Sequence, residues 1–350
     1  MYKKLSALLL CGILSLTGCH TGYWDHTPTA LSLDADPLQP VTVSIPLEDA
    51  PFTTITMSFA GDVMLASEYS QSIYGAFNPF AAETDPAYFF EKMLPLFAAD
   101  DWTVVNGENV FTDTVQEMAV KDYSPAYWYC SPTVNAQIYP TGSVEVVSMA
   151  NNHALDFGWS GYNDTMAALE AAGVTALGEK QSVVLEKGGV RVGLLCCSLY
   201  SNYYLTPVLE WLETAVTETD FQIVYFHGGT ERIYEPEDWK IAACHAMVDA
   251  GADLVLGNHP HVLQPRENYN GAEIIYSLGN FLFGGSRSCE NATIVYRLTL
   301  EATDGVITSR SSEIIPCYCY GELWQPCPME DPDDRQAVLD YMDGRRDKPC

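Results

Sequence analysis

The run DLVLGNHPH, residues 253–261, decides the fold. Asp253 to Leu256 is a short apolar stretch that reads as a buried strand, and Gly257 ends it. Asn258, His259 and His261 follow at once. Two imidazoles two residues apart, where the backbone turns off a sheet, can both point into one cleft. Neutral imidazole suits zinc, iron, nickel or copper, and manganese sites pair it with carboxylates. Taken alone, such a pair is an ordinary loop feature. Four other apolar runs end in the same manner, and that recurrence gives the motif its meaning.

Thr54–Ala60 stops at Gly61-Asp62, and Trp102–Val105 runs into Asn106-Gly107-Glu108-Asn109. Val144–Met149 leads to Asn151-Asn152-His153, and Phe221–Phe226 to His227-Gly228-Gly229. A further strand, Glu273–Leu278, ends in Gly279-Asn280. Between these runs, helical spacing appears over Tyr88–Phe97, interrupted by Pro95, and over Ser160–Ala172. Pro236–Ala250 has Pro at its start and Gly251 past its end, the expected asymmetry of a helix. Hairpins are expected around Lys187-Gly188-Gly189 and over 292–315. The stretch 111–142 reads mostly as loop with one short helix, its Tyr- and Trp-rich part (122–129) covering the sheet. A short helix is expected at Arg335–Met342. Strands alternating with helices, then strands alone, indicate an α/β sandwich with a mixed sheet and helices outside.

The chain of 350 residues, 47% hydrophobic, is long enough to bury a sizeable core. It opens MYKKLSALLLCGILSLTGC, two lysines before a short apolar stretch, which is a secretory leader over residues 1–18. Leu16-Thr17-Gly18-Cys19 resembles the bacterial lipobox, in which the cysteine becomes the lipidated first residue. A lipid anchor on the extracytoplasmic face of a bacterial membrane is therefore expected. Residues 19–52 read as the lipidated cysteine and a Pro- and Thr-rich tether, 53–325 as the folded domain, and 326–350 as an acidic, cysteine-containing tail. The formal charge is -29. Removing the leader takes away Lys3 and Lys4 and no acid, which brings the charge near -31. Such a surface excludes nucleic acid as a partner and disfavours loose binding of any polyanion. Of eleven cysteines, Cys317, Cys319, Cys327 and Cys350 crowd the C-terminal region and are expected to pair as disulfides in an oxidising compartment.

The strand ends together present Asp62, Glu108, Asn152, His153, His227, His259 and His261. In open α/β sheets, ligands bind at the carboxyl ends of the strands. Two carboxylates, an amide oxygen and three imidazoles can hold two divalent ions roughly 3.5–4 Å apart and orient a phosphate. His153, next to Asn152, is then the natural acid for a leaving group. Each residue also has an ordinary role. Asp62 can cap a turn, Glu108 can be a solvated acid, and Asn152 can be a turn residue. His245, within the helix 236–250, reads as structural.

GDVML (61–65), NGEN (106–109), SMANNHALDFGWSG (148–161), HGG (227–229), AGADLVLGNHPHVLQP (250–265) and IIYSLGNFLFG (274–284) resemble the poly-γ-glutamate capsule biosynthesis (CapA) family. That family is related to the calcineurin-like metallophosphoesterases, and the resemblance covers about 53–300. It implies a four-layer α/β/β/α sandwich and a part in making, exporting or anchoring poly-γ-glutamate. By motif, Asp62 takes a first metal and Glu108 the bridging position. Asn152, His227 and His259 take a second metal, and His261 returns to the first. His153 is the acid, and Asp156 orients its ring.

The resemblance implies Mn, Zn or Fe, one or two ions, and a substrate that is an anionic polymer or carries phosphate. It also implies membrane-embedded capsule synthesis or export subunits as partners. Met64 stands where metallophosphoesterases carry the histidine of Asp-x-His, and a thioether is a poor ligand for a hard or borderline ion. Gly107 replaces a usual Leu, Gly228 a usual Trp, and Asn258 a usual His. Three readings follow: a capsule-polymer protein with a metal site, a secreted metal-dependent phosphoesterase acting elsewhere, or a non-catalytic polymer-binding accessory.

Overall fold

A computed structural model describes residues 41–45, 51–69, 76–122, 126–285 and 290–349. The expected leader, Cys19, residues 20–40 and 46–50 of the expected tether, Cys289 and Cys350 lie outside the described residues. Two large sheets form the body. The first runs in the order Val41–Ile45, Gln181–Lys187, Val190–Ser198, Phe221–His227, Leu254–Asn258, Ala272–Leu278, Leu263–Tyr269. Its four strands from Val190–Ser198 to Ala272–Leu278 are mutually parallel. The second runs Gln325–Pro328, Val306–Glu322, Ala292–Thr303, Phe52–Met64, Trp102–Gly107, Val146–Ser148, Thr175–Leu177, and Asn280–Phe283 adds to Phe52–Met64. The central strands are near-continuous apolar runs, because strands covered on both faces have no solvent side to mark with polar residues.

Packing shows what covers each face. Between the sheets, Ile55, Met57 and Phe59 meet Leu194, Tyr225, Leu256 and Ile275 in one core. Leu169 and Tyr139 cover the outer face of the second sheet, against Val105 and Val147. Val208 and Leu212 of Leu205–Glu218, with Ala243 and Met247 of Asp238–Asp249, cover the outer face of the first, against Val224 and Val255. The α/β class expected from the sequence holds.

Several boundaries move, each for a local reason. Phe52–Met64 runs through Gly61 and Asp62 instead of stopping there, because Asp62 and Val63 keep pairing with Asn106 and Gly107 after a register shift. The helix expected over Tyr88–Phe97 is two pieces, a 3-10 turn Pro86–Phe90 and a single turn Leu94–Phe97. Pro95 is the second residue of that turn, where its missing N–H costs nothing. Leu205–Glu218 and the strand Leu263–Tyr269 were not expected. Within 111–142, Tyr129–Ser131 forms a strand between Ser67–Glu68 and Val110–Phe111, which carries Tyr129 into the cleft.

The segment read as an acidic tail joins the body. Gln325–Pro328 pairs into the second sheet, and Pro332–Met342 buries Val338, Tyr341 and Met342 in the inter-sheet core. Disulfide pairing of the C-terminal cysteines is corrected in part. Cys317 and Cys327 are free thiols on adjacent strands, with Cys327 facing Tyr318 across the ladder.

Among the hydrogen bonds that tie the sheets together, one is made in the middle of the core. The register shift after Phe59 leaves the Ala60 carbonyl outside the ladder, and Tyr225 Oη donates to it at 2.6 Å across the core. Tyr225→Phe orphans that buried carbonyl. It is expected to cost about 1–3 kcal/mol, read as a lower urea midpoint at unchanged m-value; an unchanged midpoint would refute the tie.

Candidate metal centre

The sheet ends converge on two buried carboxylates. Asp62, on Phe52–Met64, is wholly occupied. Its Oδ1 accepts from Asn106 Nδ2 at 2.8 Å and lies 3.4 Å from His227 Nδ1. Its Oδ2 accepts from the His259 amide at 3.2 Å and lies 3.3 Å from His261 Nδ1. Burial alone would raise this carboxyl, but the hydrogen bonds of His227 and His261 outweigh it and hold it well below the usual range.

Glu108 is the opposite case. Its side chain is buried, and neither oxygen has a hydrogen-bond partner among the described residues. Oε1 stands 3.6 Å from His227 Nε2, 3.7 Å from His261 Nε2 and 4.0 Å from His153 Nε2. These gaps are too long for hydrogen bonds. Bonds of about 2.0–2.2 Å to a shared tetrahedral ion would set ligand atoms roughly 3.3–3.6 Å apart. The ligand atoms of Glu108, His259 and His261 all lie within 4.8 Å of one another. This group cuts across the two ligand sets that the family motifs suggest, joining His259 of one set to His261 of the other. An orphaned buried carboxylate facing imidazole nitrogens fits a divalent ion.

The backbone holds these histidines under strain. His259 has φ +96° and His261 φ +57°, with Pro260 between them. A residue before proline prefers extended backbone with negative φ, so His259 occupies a costly conformation of the kind that collects at functional sites. The turn is pinned by the His259 amide on Asp62, by Gly228 N to Asn258 O at 3.0 Å and by Arg232 N to Pro260 O at 2.8 Å. His227 Nε2 meets Asn152 Oδ1 at 2.9 Å and His259 Nδ1 at 3.0 Å. His153 Nδ1 bonds Asp156 Oδ2 at 2.7 Å, which points Nε2 toward Glu108.

Four neighbours were absent from the candidate set. Asn106 links Asp62 to Asn151, whose Nδ2 reaches Asn106 Oδ1 at 3.2 Å. Asn280 receives His261 Nδ1 at 2.9 Å. Tyr200 stands edge-on to His259 with centroids 5.3 Å apart. Lys121 pairs with Asp156 at 2.5 Å. Asn106, Asn280 and Tyr200 also lie at or just past strand ends, so the rule that found the others reaches them. Lys121 comes from an aperiodic loop, and no spacing signals it.

The departures from the family pattern have physical accounts. Met64 is buried beside Tyr129 and Phe283, whose rings meet His153 and His261 respectively, so its thioether backs the cleft wall. A Cβ on Gly107 would lie 2.6 Å from Val147 Cγ1 and 3.0 Å from Tyr139 Oη, so other side chains fill the space of a Leu. On Gly228 it would lie 1.7 Å from Leu199 O, so this backbone admits no side chain there. Asn258 Nδ2 donates to Phe226 O at 3.1 Å and braces the neighbouring strand. His245 is structural as read, bonded to Glu267 at 2.9 Å and stacked on Tyr269.

Burial drives the Glu108 carboxyl well above its usual range, against His261 and with the help of Asp62. Burial works to lower His261, yet Glu108 and Asp62 push it well up. Both displacements favour the protonated form of each group. His259 is pushed well down by burial and by His227 and His261, so its ring is neutral and open to an ion. Burial also lowers His227 and His153, opposed by Asp62 and Asp156.

Residues 56–285 match the family model described as bacterial capsule synthesis protein PGA_cap. The PGA biosynthesis protein CapA of Bacillus subtilis is 29% identical over 271 residues, covering 70% of each chain. The capsule biosynthesis protein CapA of Bacillus anthracis is 28% identical over 272 residues, covering 70% of this chain and 64% of that one. A hypothetical protein from Thermus thermophilus superposes with a TM-score of 0.45 at 17% identity, covering 75% of this chain and 99% of that one.

A divalent ion binds the unprotonated forms of Glu108 and His261, whereas the protein around them favours the protonated ones. Calorimetric titration with zinc near pH 7, in buffers of different ionisation heat, is expected to show proton release on binding. Affinity should fall as pH drops. Heats that do not vary with buffer would contradict this.

Proposed function

Because the chain belongs to the bacterial capsule synthesis protein PGA_cap family, we propose that it serves poly-γ-glutamate synthesis, export or anchoring as a metal-dependent hydrolase. It works at the extracytoplasmic face of a bacterial membrane, held there through Cys19, beside membrane-embedded capsule subunits. The observation that carries the reading is the bare, buried Glu108 carboxylate facing three imidazoles. Glu108, His259 and His261 would hold the ion, and the bonded pair His227 and Asn152 lies beside them. Asp62 acts through its neighbours, fixing His227, His261 and the His259 amide.

A divalent ion bound there supplies Lewis acidity toward an oxygen of a phosphate ester or amide, and offsets carboxylate charge. His153, with Nδ1 held by Asp156, carries a proton on Nε2 toward a leaving group. Tyr129, Tyr200 and Phe283 wall the cleft with rings against His153, His259 and His261, which limits water around the reacting bond.

A second reading has its own support. Every acceptor direction of Asp62 is taken up within the protein, and Met64 offers no imidazole. Both favour a single ion, and a single ion suits a polymer-binding accessory as well as a hydrolase.

Protein purified without its leader under zinc- or manganese-replete conditions is expected to carry about one equivalent of metal, and His259→Ala to lose it. Turnover of bis(p-nitrophenyl) phosphate or of γ-glutamyl oligomers that tracks metal content supports the hydrolase. Metal without turnover on either supports the accessory, and a metal-free protein refutes both. A formal charge of -29 repels polyglutamate, so polymer binding should vanish on full chelation at moderate salt. Binding that survives chelation would exclude recognition through the ion.

A further inference from the structure

Lys121 sits behind the cleft in a place its sequence context does not announce. Its side chain is 8% exposed and that of Asp156 fully buried. Its Nζ contacts Asp156 Oδ1 at 2.5 Å, donates to the Tyr127 carbonyl at 2.5 Å, and stands over the Trp128 ring with 5.5 Å to the centroid. The other Asp156 oxygen, Oδ2, accepts from His153 Nδ1 at 2.7 Å and from the Tyr129 amide at 2.9 Å. The chain of contacts thus runs Lys121, Asp156, His153, Glu108. Lys121 is the sole charged partner of Oδ1 among the described residues; without it, half of a buried carboxylate would be bare.

We propose that Lys121 is a positioning residue for His153, acting through Asp156. An ionised carboxylate only accepts, so the hydrogen between Oδ2 and His153 Nδ1 belongs to the ring. Lys121 Nζ is 3.5 Å from the same Nδ1 and, having only donors, cannot share it. The ring is therefore fixed as the Nδ1–H tautomer, with Nε2 turned to Glu108 and free to take and give the exchangeable proton. Loss of Lys121 frees Asp156 to rotate toward any other donor, and the ring then loses both its tautomer and its aim. Orientation of a reactive imidazole by a hydrogen-bonded carboxylate is a general device; here the carboxylate is itself oriented by a buried ammonium. The inference rests on the reading of His153 as the acid.

The test uses the zinc-loaded protein with 15N-labelled histidine rings, in wild type, Lys121→Met and Lys121→Arg. In wild type, the His153 ring signals should report one tautomer, protonated on Nδ1. Lys121→Met should give a mixture, and Lys121→Arg should restore the single form. With bis(p-nitrophenyl) phosphate as probe, kcat in Lys121→Met should fall at least about tenfold with zinc content unchanged and KM within about twofold, and Lys121→Arg should recover part of it. Should Lys121→Met fail to fold, Lys121→Gln, which keeps a donor without the charge, takes its place in both measurements. An unaltered tautomer together with unaltered kcat overturns the proposal. If wild type does not turn over the ester, hydrolysis of that probe is refuted, and the ring signals alone decide for or against Lys121.

Discussion

A carboxylate buried without water must find its partners within the protein, and Asp62 finds four. Asn106, the His259 amide and the rings of His227 and His261 all turn to it. These groups come from strands of both sheets and from the turn that follows Leu254–Asn258. Satisfying one charge therefore fixes how the sheets meet at the site end. The strained His-Pro-His turn depends on it too, since the left-handed His259 backbone is held by donation to Asp62. Without that acceptor the turn keeps only the bonds at Asn258 O and Pro260 O, and none on the strained His259 amide.

The satisfied Asp62 and the unsatisfied Glu108 form a pair with divided labour. One is saturated and acts as scaffold; the other has no hydrogen-bond partner among the described residues and faces imidazole nitrogens. Their opposite displacements follow from this division. Burial acts on both, but only Asp62 has hydrogen bonds enough to overcome it. A site with one paired and one open carboxylate holds its shape when empty and still keeps a coordination position.

The strand-end residues were legible because the period of the chain is simple there. An apolar run stops, the backbone leaves the sheet, and the next polar side chain points into the crevice. That rule located Asp62, Glu108, Asn152, His153, His227, His259 and His261 from spacing alone. It failed where partners depend on the path of an irregular segment. Lys121 reaches Asp156 from an irregular segment, and Tyr129, at the start of the strand Tyr129–Ser131, donates its amide to the same carboxylate. Leu205–Glu218 was legible in principle, since Leu205, Val208, Leu209, Leu212 and Ala215 lie on one helical face, but Pro207 in its first turn and the tyrosines ahead of it masked the start. The end of Phe52–Met64 was misjudged because a glycine followed by an aspartate ordinarily signals a turn, and strand pairing overrode that preference.

The helix Pro332–Met342 joins the inter-sheet core, with the single Tyr341 hydroxyl hydrogen within reach of Leu263 O at 2.7 Å and Tyr234 O at 2.8 Å. A core completed by residues this late in the chain cannot close while those residues are still being made. During synthesis the two sheets would wait, incompletely sealed, until position 342 has emerged.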